Sequence, residues 1–420
     1  MNTKNLKGDL FGGLITALVS LPLALACGIL LFKGIDGLQS FGINAAFYTA
    51  ILASIISAYI GNHSLQIGGP LVVTTLILAD FLSNIYEKIQ TNINLVDINM
   101  TLFIFMIVCV IGTGIFQFIF AYFKLGKLIK FLPISVTMGV STTIGIIIII
   151  KQLPIIFNYE GEDLLRKMIV EPISLFGNYE VLLLIFTTFL VVFLLFLKDM
   201  ISNKEKIIKK LKFNPFILLP ILSPLIAGGV FFLLNDNSSF LLGNIEVKAP
   251  LISSYWDIFL NSLPILKKYF LEILLTSFAI ALMSSLSSLL SVSLLERKMT
   301  CRNHDTSIEL KGQALGNIFS GLIGGMPTAG TEARGLVNYN AGGRTYFSGI
   351  INALVLFLII FIFNDFLALI PEVILSALLV YTGLVMSLPL LKLGKNICVS
   401  CFKKDDVHKC IKDILHTFAI

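Results

Sequence analysis

Charged residues are scarce in this chain: Asp, Glu, Lys and Arg together make up 13% of its 420 residues. The mean hydropathy is correspondingly high, at +0.91. A soluble protein of this size has no interior large enough to bury that much apolar surface. Apolar runs of about 17–25 residues, the length that crosses a bilayer, recur along the whole sequence. We therefore interpret the chain as a polytopic all-α protein embedded in a lipid bilayer.

Other features that the sequence lacks exclude further classes. The apolar runs are continuous and do not alternate with polar residues, which argues against a transmembrane barrel. No cleavage-site pattern follows the polar start MNTKNLKGD, so we expect the first apolar segment to be retained as a helix. The six cysteines are scattered and form no evident disulfide framework. No nucleophile–base arrangement stands out, so we expect neither an enzyme nor a bound cofactor.

The net charge of +6 comes from basic residues in short loops between apolar runs. It therefore indicates membrane topology, and we expect no nucleic-acid partner. The loop after the sixth span, KDMISNKEKIIKKLK, is rich in lysine, whereas the loop at 152–180 is rich in Asp and Glu. The positive-inside rule then predicts a cytoplasmic N-terminus in a plasma or inner membrane.

Apolar runs give the approximate positions of the membrane spans. We predict spans at about 9–32, 42–60, 70–86, 101–122, 132–151, 181–198, 214–235, 269–292, 311–324, 329–341, 346–363 and 367–387.

Two of these spans are interrupted where they start. QIGGPLVVTTLILADFL opens the third span, and GLIGGMPTAGTEARGLVNYNAGG covers the tenth. The two prolines, Pro70 and Pro327, lie about as far apart as the first spans of the two halves, near 9 and 269. Interrupted spans at matching places in two inverted halves are the best sequence indication of a transporter binding site.

Irregular backbone at membrane depth is tolerated only where it is buried in protein or lines a cavity. Glycine permits close backbone approach, and proline suits the first turn of a helix because its missing N–H is not needed there. Each helix that starts after a break would point unpaired N–H groups and a positive dipole end into the cavity, which suits an anion. The alternative is that both breaks are simple kinks, or positions where small residues let helices pack closely.

At these residues the chain resembles the SulP anion transporters, the sulfate-permease and bicarbonate-transporter family. The match is spread over most of the chain, and three stretches illustrate it. They are GDLFGGLITALVSLPLALACG (8–28), FYTAILASIISAYIGNHSLQIGGP (47–70) and RNHDTSIELKGQALGNIFSGLIGGMPTAGTEARGLVNYNAGGRT (302–345).

The resemblance implies a fold of seven plus seven inverted spans with half-helices at spans 3 and 10. It divides the chain into five regions. These are 1–152 (first-repeat core spans 1–4 and the start of the gate), 153–268 (gate spans and extracellular loops), 269–345 (second-repeat core spans 8–10), 346–387 (spans 11 and 12) and 388–420 (a C-terminal tail).

The resemblance also implies a small inorganic anion held between spans 3 and 10. The backbone around six residues would supply N–H groups, and two hydroxyls of the eighth span would face the anion. The backbone positions are Gly69, Leu71, Val72, Thr328, Ala329 and Gly330, and the hydroxyls belong to Ser287 and Ser291. The serines of the eighth span could equally be small residues that ease helix contact.

Three residues depart from the family pattern. Ser287 stands where many members carry the Asp or Glu that accompanies Na⁺ or H⁺ coupling, so we expect coupling to be weak or absent. Glu332, within the first turns of the tenth span, is an ionisable group that needs a partner or a coupling role. Cys27 stands where an aromatic residue often lines the pocket, so we expect a substrate size preference different from that of other members.

The family has two more spans and a cytoplasmic STAS domain after the position of Met386. Residues 388–420 are too few and too charged for two spans, so we expect these spans to be incomplete. This tail holds Cys398, Cys401, His408 and Cys410. The H-x-C spacing is tight for a standard zinc site, so we predict no metal.

The function that the sequence favours is secondary active transport of a small anion, such as sulfate or bicarbonate, by alternating access. Symport and antiport both stay open, as does assembly into a homodimer. One alternative is a nucleobase or ascorbate transporter of the same fold, which the serine-rich eighth span disfavours. The other is a non-transporting relative.

Overall fold

The computed structural model of the protein describes most of the chain. The described residues are 5–33, 35, 38–61, 63–90, 98–126, 134–159, 179–202, 226, 229, 252–298, 305–362, 373–384 and 387.

The chain folds into two compact units, each built from two stretches of sequence. The first unit comprises Met1–Ile129 and Leu242–Ile370, and the second comprises Lys130–Leu241 and Pro371–Ile420.

The first unit contains nine described helices and two short strands. In chain order these are α1 (Leu6–Leu31), α2 (Gln39–Ile60), β1 (Gly68–Pro70), α3 (Val72–Gln90), α4 (Ile98–Tyr122), α7 (Ile252–Lys268), α8 (Phe270–Lys298), α9 (Thr306–Leu322), β2 (Thr328–Gly330), α10 (Glu332–Asn340) and α11 (Phe347–Ile362).

The second unit contributes three described helices. They are α5 (Ile134–Ile156), α6 (Tyr179–Ser202) and α12 (Val373–Leu384). Helices α6 and α12 pack through Leu183, Leu184, Val373 and Ile374. At Gly383, an added Cβ would come within 2.5 Å of the carbonyl oxygen of Gly145, so a glycine lets α12 approach α5 closely.

Taken in chain order, each predicted span corresponds to one described helix, with two exceptions. Helix α7 has no predicted span, and one predicted span has no described helix. Helix α7 was not predicted, because its sequence ISSYWDIFLNSLPILKK mixes apolar with polar and charged residues. The span predicted at 214–235 lies outside the described residues except for 226 and 229. Residues 388–420 also lie outside them, so the expectation about the last two spans stays a prediction.

Among the described residues, four helices are long and apolar enough to cross a membrane: α1, α2, α4 and the Phe270–Ser293 part of α8. Their mean hydropathies are 2.5, 1.6, 2.5 and 2.0. The chain is therefore an integral, multi-pass membrane protein.

Small residues bring the helices of the first unit close together. An added Cβ at Gly28 of α1 would lie 2.6 Å from the Cα of Ile43 in α2. At Gly114 of α4 it would lie 2.7 Å from the carbonyl oxygen of Ala314 in α9. Dispersion contacts of this kind stabilise helix pairs in lipid, where the hydrophobic effect does not drive association.

The N-terminus of α1 is attached to the turn between α10 and α11 by a buried carboxylate. Asp9 Oδ1 accepts hydrogen bonds from the backbone N–H groups of Arg344 (2.7 Å) and Thr345 (3.0 Å). Asp9 Oδ2 accepts one from the hydroxyl of Thr345, at 2.6 Å. Asp9 is only 2% exposed, and these three donors compensate for the loss of its hydration.

Both predicted helix breaks are present, but the two prolines do not lie in the first helical turns, where the prediction placed them. Helix α3 begins at Val72 and α10 begins at Glu332, each after a three-residue strand. Pro70 is the last residue of β1, and Pro327 directly precedes β2, so neither lies in a first helical turn. The tenth span, predicted at 329–341, becomes helical three residues after its predicted start. Glu332 is the first residue of that helix.

Candidate functional site

The two breaks meet in the interior of the first unit. Strands β1 and β2 pair antiparallel, with Gly68 opposite Gly330, Gly69 opposite Ala329 and Pro70 opposite Thr328. All six residues are buried. The pairing joins the two interrupted segments of the inverted halves into a ribbon, which we define as residues 68–70 with 328–330.

In an antiparallel pair, residues alternate between exchanging backbone hydrogen bonds and pointing their N–H and C=O groups outward. Gly68, Thr328 and Gly330 point outward, because each bonds to side chains of neighbouring helices. An unpaired strand edge inside a membrane would cost several kcal/mol per group, so these partners are required.

Helix α2 holds the outer edge of β1. The N–H of Gly68 donates to Ser57 Oγ at 2.9 Å, and the Ser54 hydroxyl donates to the carbonyl oxygen of Gly68 at 3.1 Å. Asn352 of α11 donates to Ser54 Oγ at 2.8 Å and so orients that hydroxyl.

Helix α9 holds one end of β2 through Asn317. Asn317 Oδ1 accepts from the N–H of Thr328 at 2.8 Å, and Asn317 Nδ2 donates to the carbonyl oxygen of Thr328 at 3.1 Å. Asn317 Nδ2 also donates to Gln117 Oε1 of α4 at 2.7 Å. The Thr328 hydroxyl donates to the carbonyl oxygen of Gly69 at 3.2 Å, which links the two strands.

Helix α8 holds the other end of β2. The N–H of Gly330 donates to Ser288 Oγ at 2.9 Å, and the Ser287 hydroxyl donates to the carbonyl oxygen of Gly330 at 3.2 Å. Gln66 Nε2 donates to the carbonyl oxygen of Ser288 at 3.1 Å. The Gln66 amide lies where a Cβ on residue 330 would be, so only glycine fits there.

Arg334 supplies a buried positive charge next to the ribbon. It is 3% exposed, and its Nη2 donates to the carbonyl oxygen of Pro70. Its guanidinium occupies the space where Gly69 would carry a Cβ. Its Nε–H has no hydrogen-bond partner within the described part of the chain. A buried guanidinium with an unused N–H donor is suited to an anionic ligand.

The two helices that leave the ribbon each begin with N–H groups that lack helical partners. The first helical bonds run from Thr75 to Leu71 in α3 and from Gly335 to Thr331 in α10. The N–H groups of 72–74 and of 332–334 therefore precede the helical ladder. The side chain of Thr331, the N-cap of α10, makes no capping hydrogen bond.

The predicted site residues thus lie in one region, with different local roles. Gly69, Thr328, Ala329 and Gly330 belong to the ribbon, Leu71 connects it to α3, and Val72 is the first residue of α3. The N–H groups of Thr328 and Gly330 donate to Asn317 and Ser288, so the protein itself occupies them. The hydroxyl of Ser287 is likewise donated to Gly330.

Ser291 and Glu332 differ from those residues. Ser291 is buried on α8, and its Oγ has no hydrogen-bond partner in the part of the chain that the structure describes. Glu332 is exposed at the start of α10. Cys27, the third departure from the family pattern, is fully buried, and its thiol contacts the hydroxyl of Thr75.

Five residues of the site are not among those that the sequence predicted: Gln66, Gln117, Ser288, Asn317 and Arg334. A usable signal existed for Gln117 and Asn317: polar amides inside apolar spans are costly unless they have a partner or a function. For Arg334 the signal was a cation close to a helix start. Among the described residues there is no group of three or more His, Cys, Asp and Glu side chains that could hold a metal. The cysteines and histidine of the tail lie outside the described residues.

Residues 6–405 match the model of the sulfate permease family. The chain belongs to this family. The resemblance of the three sequence stretches to the SulP transporters is thereby confirmed.

Curated relatives of the chain include transporters of two kinds. The bicarbonate transporter BicA of Picosynechococcus is 28% identical over 387 residues, covering 90% of this chain and 62% of that protein. BicA of Synechocystis is 27% identical and covers 99% of this chain and 66% of that protein. The putative sulfate transporter YvdB of Bacillus subtilis is 25% identical, covering 88% and 62%. These relatives are transporters, which agrees with the expectation that the chain is not an enzyme.

The chain spans about two thirds of the length of these curated relatives. Among solved structures, the transmembrane domain of a cyanobacterial BicA superimposes with a TM-score of 0.74 at 25% identity, covering 100% of this chain and 95% of that one. The structure of SLC26A9 superimposes with a TM-score of 0.70 at 14% identity, covering 100% and 62%. The predicted fold, an all-α inverted-repeat transporter fold with half-helices at spans 3 and 10, is confirmed.

Proposed function

We propose that this protein is a secondary transporter of a small inorganic anion, such as bicarbonate or sulfate, that works by alternating access. The observation that carries the proposal is Arg334, a buried guanidinium set against the ribbon where the two half-helices begin. The anion would lie between the first turns of α3 and α10.

Three kinds of group support an anion at this place and not a cation. The first turns of α3 and α10 offer backbone N–H donors and the positive ends of two helix dipoles. Arg334 offers a formal positive charge and an Nε–H donor that the described protein groups leave unused. The hydroxyl of Ser291 is buried nearby on α8 and has no described partner.

Within this proposal the predicted residues divide into two groups. Leu71 and Val72 would offer N–H groups directly to the anion, together with the residues that start α10. Gly69, Thr328, Ala329 and Gly330 would instead build the ribbon that fixes both helix starts. Ser287 would act through Gly330, because its hydroxyl is already donated to that carbonyl.

Coupling to a cation is proposed to be weak or absent. Ser287 is neutral, and its hydroxyl bonds to the ribbon. Glu332 is the one acid at the start of either half-helix, and it is exposed. A carboxylate there interacts favourably with the N-terminal end of α10, which is a sufficient reason for its presence.

The proposal also includes the orientation in the membrane, the division of the chain into regions and the oligomeric state. The N-terminus would face the cytoplasm, because the positive-inside rule would place the lysine-rich sequence KDMISNKEKIIKKLK on the cytoplasmic side. The regions 1–152, 153–268, 269–345, 346–387 and 388–420 would divide into core, gate and tail as the family resemblance implies. A homodimer would be the assembly to look for.

The test is uptake by proteoliposomes that contain the purified chain. Radiolabelled bicarbonate and radiolabelled sulfate should each be measured against protein-free liposomes, with uracil, ascorbate and unlabelled anions as competitors. We expect uptake that unlabelled anions suppress and uracil does not. Uptake suppressed only by uracil or ascorbate would favour the alternative transporter, and no uptake of any label would favour a non-transporting relative.

A further inference from the structure

The side chain of Asn317 in α9 bonds to the backbone of β2 in the way that a neighbouring strand would, through one donor and one acceptor. Asn317 accepts from the N–H of Thr328 at 2.8 Å and donates to the carbonyl oxygen of the same residue at 3.1 Å. Two bonds to one residue constrain both its distance and its orientation. Both residues are fully buried, so water does not compete for these groups.

The orientation of the Asn317 amide is itself fixed from a second helix. Its Nδ2 donates to Gln117 Oε1 of α4 at 2.7 Å. Gln117 Nε2 donates in turn to the hydroxyl oxygen of Ser284 of α8, at 2.7 Å. If the Asn317 amide were rotated by half a turn, its NH₂ group would face the N–H of Thr328, and two donors would oppose each other.

Thr328 connects this chain of bonds to the start of α10. It begins the strand that ends two residues before the first residue of that helix, Glu332. Its hydroxyl also bonds to Gly69 in β1. Movement of Thr328 would therefore shift the first turn of α10 relative to the first turn of α3.

We propose that Asn317 is a positioning residue that sets the affinity for the transported anion. This inference rests on the proposed function. Asn317 does not touch the anion; it fixes Thr328 and thereby the spacing of the N–H groups that would bind it. Hydrogen bonds weaken steeply with distance and angle, so a small shift of α10 lowers affinity. Asn317, Gln117 and Thr328 all lie within the first unit, and none of them would touch the anion, so we expect the maximal rate to be retained.

The corresponding edge of β1 gives a contrast within the same ribbon. Gly68 is held by two separate serine hydroxyls of α2, Ser54 and Ser57. Loss of either hydroxyl leaves the other in place. Asn317 combines the donor and the acceptor in one group, so a single substitution removes both bonds to the Thr328 backbone and leaves only the hydroxyl bond of Thr328 to Gly69.

The test compares two substitutions of buried amides on α9. Asn317→Leu removes both bonds to Thr328 at similar side-chain size. Gln313→Met is the matched control, because Gln313 is also buried, lies one turn earlier and donates from Nε2 to Glu309 Oε1 at 3.1 Å, away from the ribbon. Initial rates of uptake of radiolabelled bicarbonate and sulfate give KM and maximal rate per folded protein, and thermal unfolding in detergent is measured for each variant.

We expect Asn317→Leu to raise KM by about three- to tenfold, the factor that corresponds to roughly one lost buried hydrogen bond. The maximal rate should stay within about twofold, and Gln313→Met should keep the wild-type KM even if both variants unfold at similarly lowered temperatures. Gln117→Met, which leaves Asn317 attached to Thr328 but removes its support, should give a smaller rise in KM.

An unchanged KM in Asn317→Leu, or an equal rise in Gln313→Met, overturns the role of Asn317 while wild-type transport keeps the proposed function. If Asn317→Leu does not fold, Gln117→Met decides, and a wild-type KM in that variant overturns the role. Wild-type protein that transports neither anion overturns the proposed function and this inference together.

Discussion

Arg334 donates a hydrogen bond from Nη2 to the carbonyl oxygen of Pro70, which joins the first turn of α10 to the last residue of β1. The two residues belong to opposite inverted halves of the chain. The bond places a positive charge beside the starts of both half-helices, and the proposed anion site depends on it.

The first prediction concerns the charge of Arg334. Arg334→Gln should raise KM for the anion by about 10- to 100-fold, because hydrogen bonds from charged groups contribute about 1.5–3 kcal/mol. Arg334→Lys should have a KM between those of the wild type and Arg334→Gln, since lysine keeps the charge but lacks the planar, fork-shaped set of donors. Uptake kinetics in proteoliposomes measure this.

The control for that prediction is Arg344→Gln. Arg344 also donates from Nη1 to a backbone carbonyl, that of Tyr339 at 2.7 Å, but its side chain is outside the ribbon. A wild-type KM in Arg334→Gln, or the same loss in Arg344→Gln, would contradict a direct role for the charge.

The second prediction concerns Gly69. Gly69→Ala places a methyl group where the Arg334 guanidinium lies, so the guanidinium must move away from Pro70. Uptake at low anion concentration should fall at least about tenfold, as for Arg334→Gln. Gly139→Ala in α5 is the control, since an added Cβ there meets nothing within 4 Å. Equal uptake by both variants would show that the Arg334 position is not critical.

The third prediction concerns Glu332, the exposed first residue of α10. Glu332→Gln removes a negative charge near the proposed anion and should lower KM, while the pH dependence of uptake stays as in the wild type. The loss of the favourable helix-terminus interaction should cost about 0.3–1 kcal/mol of stability. Uptake measured between acidic and alkaline pH checks this. Loss of the pH dependence with anion binding retained would instead assign proton coupling to Glu332.

The fourth prediction concerns cation coupling. An imposed Na⁺ gradient should change anion uptake little, and Ser287→Ala should leave that insensitivity unchanged. The variant loses one hydrogen bond to Gly330, worth about 1 kcal/mol, so a modest rise in KM is expected. Uptake that depends strongly on Na⁺ in the wild type and loses that dependence in Ser287→Ala would contradict the prediction.

The fifth prediction concerns the stability of the first unit. Asp9→Asn keeps the shape of the side chain but removes the negative charge that strengthens its bonds from Arg344 and Thr345, and it replaces one acceptor oxygen with an NH₂ group. The free energy of unfolding should fall by about 1–3 kcal/mol, measured as an earlier thermal transition in detergent. Glu87→Gln is the control, because Glu87 is exposed on α3 and its replacement should cost less than about 0.5 kcal/mol. Equal shifts would show that the Asp9 bonds add no stability.

The helices could largely be predicted from the sequence because the bilayer enforces a simple rule: long apolar runs must form helices that satisfy their own backbone. Helix α7 escaped prediction because its apolar residues are interspersed with charged ones at Asp257, Lys267 and Lys268. The breaks at Gly69 and Gly325 were predictable because glycine and proline weaken a helix locally.

The contents of the site were only partly predictable. The sequence predicted that the third and tenth spans are interrupted, because Gly-Gly and Pro stand at matching places in the two halves, but it did not predict that Gly68–Pro70 and Thr328–Gly330 pair as strands. It assigned the N–H groups of Thr328 and Gly330 to the anion. Partners on other helices occupy both groups, and no local pattern reveals such partners.

The sequence by itself therefore determined that the chain crosses a membrane and where two helices must be interrupted, because those outcomes follow from local backbone chemistry in an apolar solvent. Only the tertiary structure decided which N–H and hydroxyl groups bond within the protein to hold the ribbon and which could bind an anion. Gln117 and Asn317 are 200 residues apart, yet they meet at 2.7 Å. Hydrogen bonds inside the protein require partners within about 3 Å, and only the folded chain brings residues so distant in sequence that close.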